Sequence, residues 1–170
     1  QVYAVNGVSF EIEEGEIYGL VGESGSGKST IGDAVLGLLP KNGVVDSDSK
    51  VLFDGHDMLN LDRATERHLR WEDIAYIPQS AMDALDPVLS TGNQIVQAIR
   101  KHRDISKKAA RERVKEVFDM VGLDPDRVDD YPHEFSGGMR QRVTIAMAMA
   151  LEPKLIIADE PTTGLDVIVQ

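Results

Sequence analysis

Gly22-Glu23-Ser24-Gly25-Ser26-Gly27-Lys28-Ser29-Thr30 is the stretch on which the reading of this chain turns. It fits the phosphate-loop pattern G-x-x-x-x-G-K-[ST]. The residue types follow from the task of holding a polyanion. Glycine carries no Cβ, so Gly22, Gly25 and Gly27 let the backbone turn tightly and come close to an anion. Successive N–H groups then point inward at phosphate oxygens. Lys28 adds a mobile cation for the β- and γ-phosphates, and Ser29 a hydroxyl for Mg²⁺. Such a loop opens a helix, whose N-terminus favours negative charge. Residues 17–21 (Ile-Tyr-Gly-Leu-Val) read as a short buried strand before the loop, and residues 31–39 as a helix after it. A glycine- and serine-rich surface loop could match the same pattern; this strand-loop-helix context argues against it. Gly22, Glu23, Ser24, Gly25, Ser26, Gly27, Lys28, Ser29 and Thr30 are the candidate nucleotide-binding residues.

Outward from the loop, Val8, Phe10 and Ile12 alternate as in a half-buried strand. The polar turn Glu13-Glu14-Gly15-Glu16 joins that strand to residues 17–21 in a hairpin-like pair. Pro40 and Gly43 stop regular structure. Residues 51–53 read as a strand followed by an Asp54-Gly55 turn, and Asp62 as the N-cap of a helix to Arg70. Residues 74–77 form another short strand, ending at Pro78-Gln79.

From Thr91 to Gly122 the pattern is helical. Ile95, Val96, Ala98 and Ile99 lie in one helix; Ser106 caps a second, with Ala110, Val114, Val117, Phe118 and Val121 in a stripe. Its outer face of Lys, Arg and Glu reads as a solvated surface. Gly122 suits the position just past the helix, and Asp124-Pro125 prevents continuation. Residues 137–151 make a third helix, apolar nearly all round in its second half and therefore buried, with its methionines as core filler. Leu155-Ile156-Ile157-Ala158 reads as a central parallel strand.

Composition bounds the function. The chain has 170 residues, 42% of them hydrophobic, enough for a real core. No apolar run approaches the roughly 20 residues of a membrane span. A secretory leader is not expected from the first residues. Zero cysteines rule out disulfides and thiolate metal sites, and fit a reducing compartment. A net charge of −11 disfavours nucleic acid as a partner, while leaving ATP open because the loop and Lys28 set the local field.

Parallel sheets place ligands beyond the carboxyl ends of their strands. Here the acid pair Asp159-Glu160 follows such a strand. In a chain with a phosphate loop, Asp159 is the candidate Mg²⁺ ligand beside Ser29, and Glu160 the candidate general base that polarises an attacking water. Standing alone, the pair would read as an exposed turn. Ser136-Gly137-Gly138 opens the buried helix; two glycines and a capping serine there offer a second anion site, or only a helix cap.

In this order the motifs resemble the nucleotide-binding subunit of an ABC transporter. The residues that carry the resemblance are Gly22 to Thr30 (Walker A), Gln79 (Q-loop), Phe135-Ser136-Gly137-Gly138-Met139-Arg140-Gln141-Arg142 (signature), residues 155–160 (Walker B and the catalytic Glu) and Thr163-Gly164-Leu165-Asp166 (D-loop). The runs Tyr131-Pro132-His133-Glu134-Phe135 and Asp159-Glu160-Pro161-Thr162-Thr163 further resemble the dipeptide, oligopeptide and nickel importer subfamily, some of whose archaeal members carry sugars.

The resemblance implies an α/β P-loop NTPase core with a small antiparallel β part and a helical subdomain. The core would take residues 1–85 and 153–170, and the helical subdomain residues 86–152. It implies two subunits paired head to tail, ATP on the loop of one covered by Ser136, Gly137 and Gly138 of the other, and Gln79 approaching Mg²⁺ or the attacking water. Asp166 would communicate across the dimer. The implied partners are transmembrane permease subunits and, indirectly, a substrate-binding protein, at the cytoplasmic face of the membrane. The family's switch-loop His lies well past the D-loop, where none of His56, His68, His102 or His133 stands, and Tyr3 lies too near the hairpin to stack on adenine as the family's aromatic residue does. The expectation is a fragment that keeps the phosphate site but stacks adenine weakly and hydrolyses ATP poorly. A repair or translation ATPase and a nucleotide-sensing module are the competing readings; the interval between Walker A and the signature is too short for a repair protein's coiled coil. A P-loop kinase or GTPase leaves Ser136 to Gln141 without a role.

Overall fold

A computed structural model describes residues 3–79 and 84–161, so the D-loop residues Thr163 to Asp166 lie outside the described residues. The chain divides into two compact units, Gln1–Glu66 and Arg67–Gln170.

In the first unit the phosphate loop leads into α1 (Lys28–Leu36). Gly27, at φ 94, turns the chain through the left-handed region that only glycine enters freely. Gly37 ends the helix at φ 60; its N–H donates to the Ala34 carbonyl at 3.1 Å and that of Leu38 to Asp33 at 2.7 Å. These paired bonds satisfy the last helical carbonyls and stop α1 before Leu39, the expected end. The strands β1 (Leu52–Phe53) and β2 (His56–Asp57) form an antiparallel hairpin. Its turn residues Asp54 (φ 48) and Gly55 (φ 79) are both left-handed, the twist that an Asp-Gly hairpin turn needs.

The expected strands at residues 8–12 and 17–21 are not formed. Their turn is present: the Glu16 N–H donates to the Glu13 carbonyl at 3.1 Å, and the Phe10 and Tyr18 rings stack 5.0 Å apart. No ladder joins the two arms, and Ile17 is 98% and Val21 93% exposed. An apolar run expresses a demand for burial without naming the neighbour that meets it. A strand exists only when another strand takes up its N–H and C=O groups, and among the described residues none pairs with this one.

Asp62 caps α2 (Arg63–His68), accepting from the N–H groups of Ala64 at 2.9 Å and Thr65 at 3.1 Å. The Thr65 hydroxyl bond comes first among those holding its carboxyl below the usual range. A wider π-helical turn, Leu69–Asp73, carries the chain past the expected end at Arg70 into β3 (Ile74–Ile77).

The second unit contains the helical layer. α3 (Thr91–His102), α4 (Lys107–Met120) and α5 (Gly137–Met149) surround one core containing Ile95, Ile99, Val114, Val117, Phe118 and Val143. Each of these is at most 1% exposed, and full burial of such a side chain contributes roughly 1.5–3 kcal/mol. Ser106 caps α4 by accepting from the Ala109 N–H at 3.1 Å, and Gly122, at φ 70, ends it as expected. Two short 3-10 turns, Pro125–Asp129 and Pro132–Glu134, bridge α4 to α5. α5 packs on both the helices and β3. β4 (Leu155–Ala158) pairs in parallel with β3. Its burial alternates, with Ile156 42% exposed, where a strand covered on both faces was expected; its sheet holds β3 and β4 alone among the described residues.

Candidate nucleotide site

Within the first unit, the phosphate loop folds around its own lysine. Lys28 Nζ donates to the carbonyls of Gly22 and Glu23, each at 2.8 Å. The Ser26 N–H donates to the Glu23 carbonyl at 3.2 Å, closing the loop, and the Ile31 N–H donates to Gly27 at 3.0 Å where α1 begins. A Cβ on Gly27 would sit 2.3 Å from the Ala4 carbonyl oxygen, and one on Gly22 2.8 Å from Ser26 Oγ. Gly27 is therefore required by contact as well as by backbone angle, and Gly25, at φ 80, by backbone angle. A cation ringed by carbonyls at the start of a helix fits a triphosphate, whose oxygens would replace those carbonyls. Ser29 and Thr30 follow in the first turn of α1.

Within the second unit, register brings two candidates together. β3 and β4 pair Ile74 with Leu155 through Ile77 with Ala158. The ladder runs one bond further, from the Asp159 N–H to the Ile77 carbonyl at 2.9 Å. At the next step Gln79 Nε2 donates to Glu160 Oε2 at 2.8 Å, across the same 81-residue offset. At the strand's other end, the Lys154 N–H donates to the Asp73 carbonyl at 2.9 Å, and Lys154 Nζ lies 3.6 Å from Asp73 Oδ1. Glu160 adopts φ 45, a left-handed angle uncommon outside glycine that costs of order 1–3 kcal/mol. Such strain clusters where a side chain must be aimed. Within this unit Asp159 and Gln79 offer carboxylate and amide oxygens, hard donors of the kind that suits Mg²⁺.

Ser136 caps α5 by accepting from the Met139 N–H at 3.3 Å. Gly137 and Gly138 then form the first turn, whose N–H groups have no acceptor within the helix. Ser136 is exposed while Phe135 beside it is 3% exposed, so a buried anchor precedes an open turn. His133 stacks on Tyr131 at 5.7 Å in the segment before the signature.

The sequence reading missed several arginines. Arg113, on the face of α4 read as solvated, donates to the Ala150 and Met149 carbonyls at 3.2 and 3.3 Å. Arg103 donates to the Leu151 carbonyl at 2.6 Å. Arg142 returns the contact, donating from α5 to the Val121 and Gly122 carbonyls at the end of α4. A signal existed for Arg113: it lies three residues after Ala110 and one before Val114, at the edge of the buried stripe.

The family profile described as ABC transporter matches residues 5–163. Over 171 residues the chain is 47% identical to the dipeptide transport ATP-binding protein DppD of Bacillus subtilis, covering 99% of this chain and 51% of that protein. It is 46% identical over 172 residues to the oligopeptide transport ATP-binding protein OppD of the same organism, covering 100% of this chain and 48% of that protein. The chain thus spans about half the length of the curated relatives it matches. Among solved structures it is similar to the ATP-binding cassette MJ0796, a dimer in a post-hydrolysis state bound to ADP and Pi. The TM-score is 0.84 at 30% identity, over 99% of this chain and 70% of that one.

Proposed function

The chain belongs to the ABC transporter family, and from that premise we propose that it is the ATP-binding core of an importer subunit that couples ATP binding and hydrolysis to uptake of peptides. The observation that carries the reading is the Gln79–Glu160 hydrogen bond at the carboxyl ends of β3 and β4. It puts a carboxylate and an amide, the groups needed to orient a water, at the tips of paired parallel strands. Similarity over nearly the whole chain to proteins named for dipeptide and oligopeptide transport supports peptides as cargo; nickel and oligosaccharides are the alternatives within the subfamily that the motifs resemble.

Each residue then has a task. The main-chain N–H groups of Gly22 to Thr30 bind the triphosphate, and Lys28 leaves its carbonyls for the β- and γ-phosphates. Ser29, Asp159 and Gln79 would hold Mg²⁺, which when bound neutralises charge on the phosphates. Glu160 accepts the proton of the attacking water, with Gln79 fixing the carboxylate's direction. Ser136, Gly137 and Gly138 cover the nucleotide of a second subunit. The dimeric form of the similar cassette supports this pairing, as does the presence of two separate anion-binding turns in one chain. Among the described residues no helix is long and apolar enough to cross a membrane, and we assign the cytoplasmic membrane face and the permease contact to assembly with transmembrane subunits.

The test uses the full-length subunit. Glu160→Gln is expected to accumulate an ATP-bound dimer with turnover abolished, and Lys28→Ala to weaken ATP binding. Unchanged nucleotide affinity in Lys28→Ala rejects the loop assignment. Transport that stays ATP-dependent and unimpaired in Glu160→Gln favours a nucleotide sensor over an enzyme.

A further inference from the structure

Arg127, in the 3-10 turn Pro125–Asp129, has its whole guanidinium engaged. Nε donates to Asp130 Oδ2 at 2.6 Å and Nη2 to the Glu134 carbonyl at 3.0 Å. Nη1 reaches the Met139 sulfur at 3.7 Å, and Cζ lies 4.4 Å from the centre of the Phe135 ring. Asp130, Glu134 and Phe135 precede Ser136-Gly137-Gly138, and Met139 follows it. One side chain thus grips both flanks of the signature turn.

What Arg127 ties the turn to is itself buried and hydrogen-bonded. Its neighbour Val128 is 1% exposed and packs so closely on Gly92 that a Cβ there would meet the Val128 carbonyl oxygen at 2.4 Å. The Asp130 carbonyl accepts from the N–H and hydroxyl of Thr91 at 2.9 and 3.1 Å. Glu134 folds back to accept from the Tyr131 N–H at 2.7 Å. The required side chain is a planar fork with donors on its edge and a face that stacks on a ring, which is arginine's chemistry. A lysine in its place keeps the charge and the ring contact but cannot serve Asp130, Glu134 and Met139 together.

We propose that Arg127 is a positioning residue for the Ser136-Gly137-Gly138 turn, holding the first N–H groups of α5 in the geometry that receives the γ-phosphate of a nucleotide bound to a second subunit. This rests on the in-trans reading above. It separates two quantities that a merely structural arginine would not: affinity for nucleotide on the subunit's own loop, and closure over the partner's.

The experiment uses the full-length subunit in a Glu160→Gln background, where the closed dimer accumulates. Arg127→Met and Arg127→Lys are compared with Arg111→Met, which removes the ion pair with Asp129 at the same 3-10 turn and leaves residues 130–139 untouched. MgADP affinity is measured by calorimetry and ATP-driven dimerisation by analytical ultracentrifugation, with the melting temperature of each variant. MgADP affinity is expected to stay within about twofold throughout, while the ATP needed for half-dimerisation rises roughly tenfold or more in Arg127→Met and less in Arg127→Lys. Arg111→Met is expected to dimerise like the parent. Should Arg127→Met fail to fold, Arg127→Lys carries the same two outcomes. Dimerisation of the Arg127 variants at the parent's ATP concentration overturns the proposal, as does a loss of closure in all variants that merely follows melting temperature. A parent that stays monomeric with ATP removes the in-trans reading, and this inference with it.

Discussion

Replacing Arg113 with methionine tests whether the C-terminus of α5 is held by arginine rather than by its own packing. Methionine keeps much of the stem's volume and removes the donors. The Arg113 side chain is only 18% exposed; two of its nitrogens serve the Ala150 and Met149 carbonyls, and it also pairs with Glu152 at 3.2 Å and Glu116 at 3.1 Å. The carboxylates are 62% and 59% exposed, so those pairs contribute close to nothing. The carbonyl bonds differ, because they are charge-assisted and quench the negative end of a helix. Hydrogen bonds to a charged donor contribute about 1.5–3 kcal/mol each, and partial access of water to the freed carbonyls halves that, giving a net loss of about 1.5–3 kcal/mol for the two. At about 2–4 °C per kcal/mol for a domain of this size, the melting temperature should fall by about 3–12 °C. Circular dichroism at the helical band on the full-length subunit reads the shift, and hydrogen exchange should locate the faster amides at residues 147–152. Arg111→Met, which breaks an exposed pair with Asp129, should cost less than about 1 kcal/mol. If Arg113→Met costs no more than Arg111→Met, or exchange at residues 147–152 is unchanged, the clamp does not exist.

Gly92→Ala inverts the usual rule. In an ordinary helix the change stabilises by up to about 1 kcal/mol, but here the new Cβ would lie 2.4 Å from the Val128 carbonyl oxygen and 2.9 Å from the Val128 Cβ. A net loss of about 1–3 kcal/mol is expected in urea unfolding; a gain would mean that α3 and the Pro125–Asp129 turn can separate freely. His102 makes stability pH-dependent. Burial lowers its pKa, Glu72 opposes the shift, and Lys101 and Arg67 add to it. The folded form therefore binds its proton less readily than the unfolded chain, so stability is complete above about pH 6.5 and falls as pH drops below it. The urea midpoint should decline between pH 7.5 and 5.5, less steeply in His102→Gln; equal slopes would assign the dependence to other groups.

Legibility followed the range of the interactions. The helical part could be read because each helix states its own limits. Ser106 starts α4, Gly122 stops it, and Ala110, Val114, Val117 and Phe118 mark the buried face between. The phosphate loop was equally local: glycine angles, lysine and helix start fall within nine residues. Residues 8–12 and 17–21 failed for the opposite reason. Their alternation and apolarity are clear, but a strand is a relation to a distant partner, which no local pattern supplies. The arginines failed similarly, since a charge on a helix surface looks the same whether it faces water or another helix's carbonyls.

The same distinction explains why the Gln79–Glu160 pair is informative. In the sequence neither residue is unusual alone; each merely follows a short apolar strand. The parallel register converts them into a pair, because fixing Ile74 opposite Leu155 also fixes what lies beyond the carboxyl ends. That register is tied at its start by Lys154 to Asp73, immediately after α5 ends under Arg113 and Arg103. α5 therefore has its N-terminal turn held by Arg127 and its C-terminal carbonyls held by two further arginines. Beyond Pro153 it runs into the strand that carries Asp159 and Glu160. A displacement of the Ser136 end along the helix axis would have to break the arginine clamp or pass into β4 and the Glu160 carboxylate. Weakening the clamp should therefore loosen the link between the signature turn and the acid pair before it unfolds either one, so Arg113→Met should slow ATP turnover in the full-length subunit by more than its lost stability explains. Turnover that falls only when the melting temperature is approached would show that α5 transmits nothing between its ends.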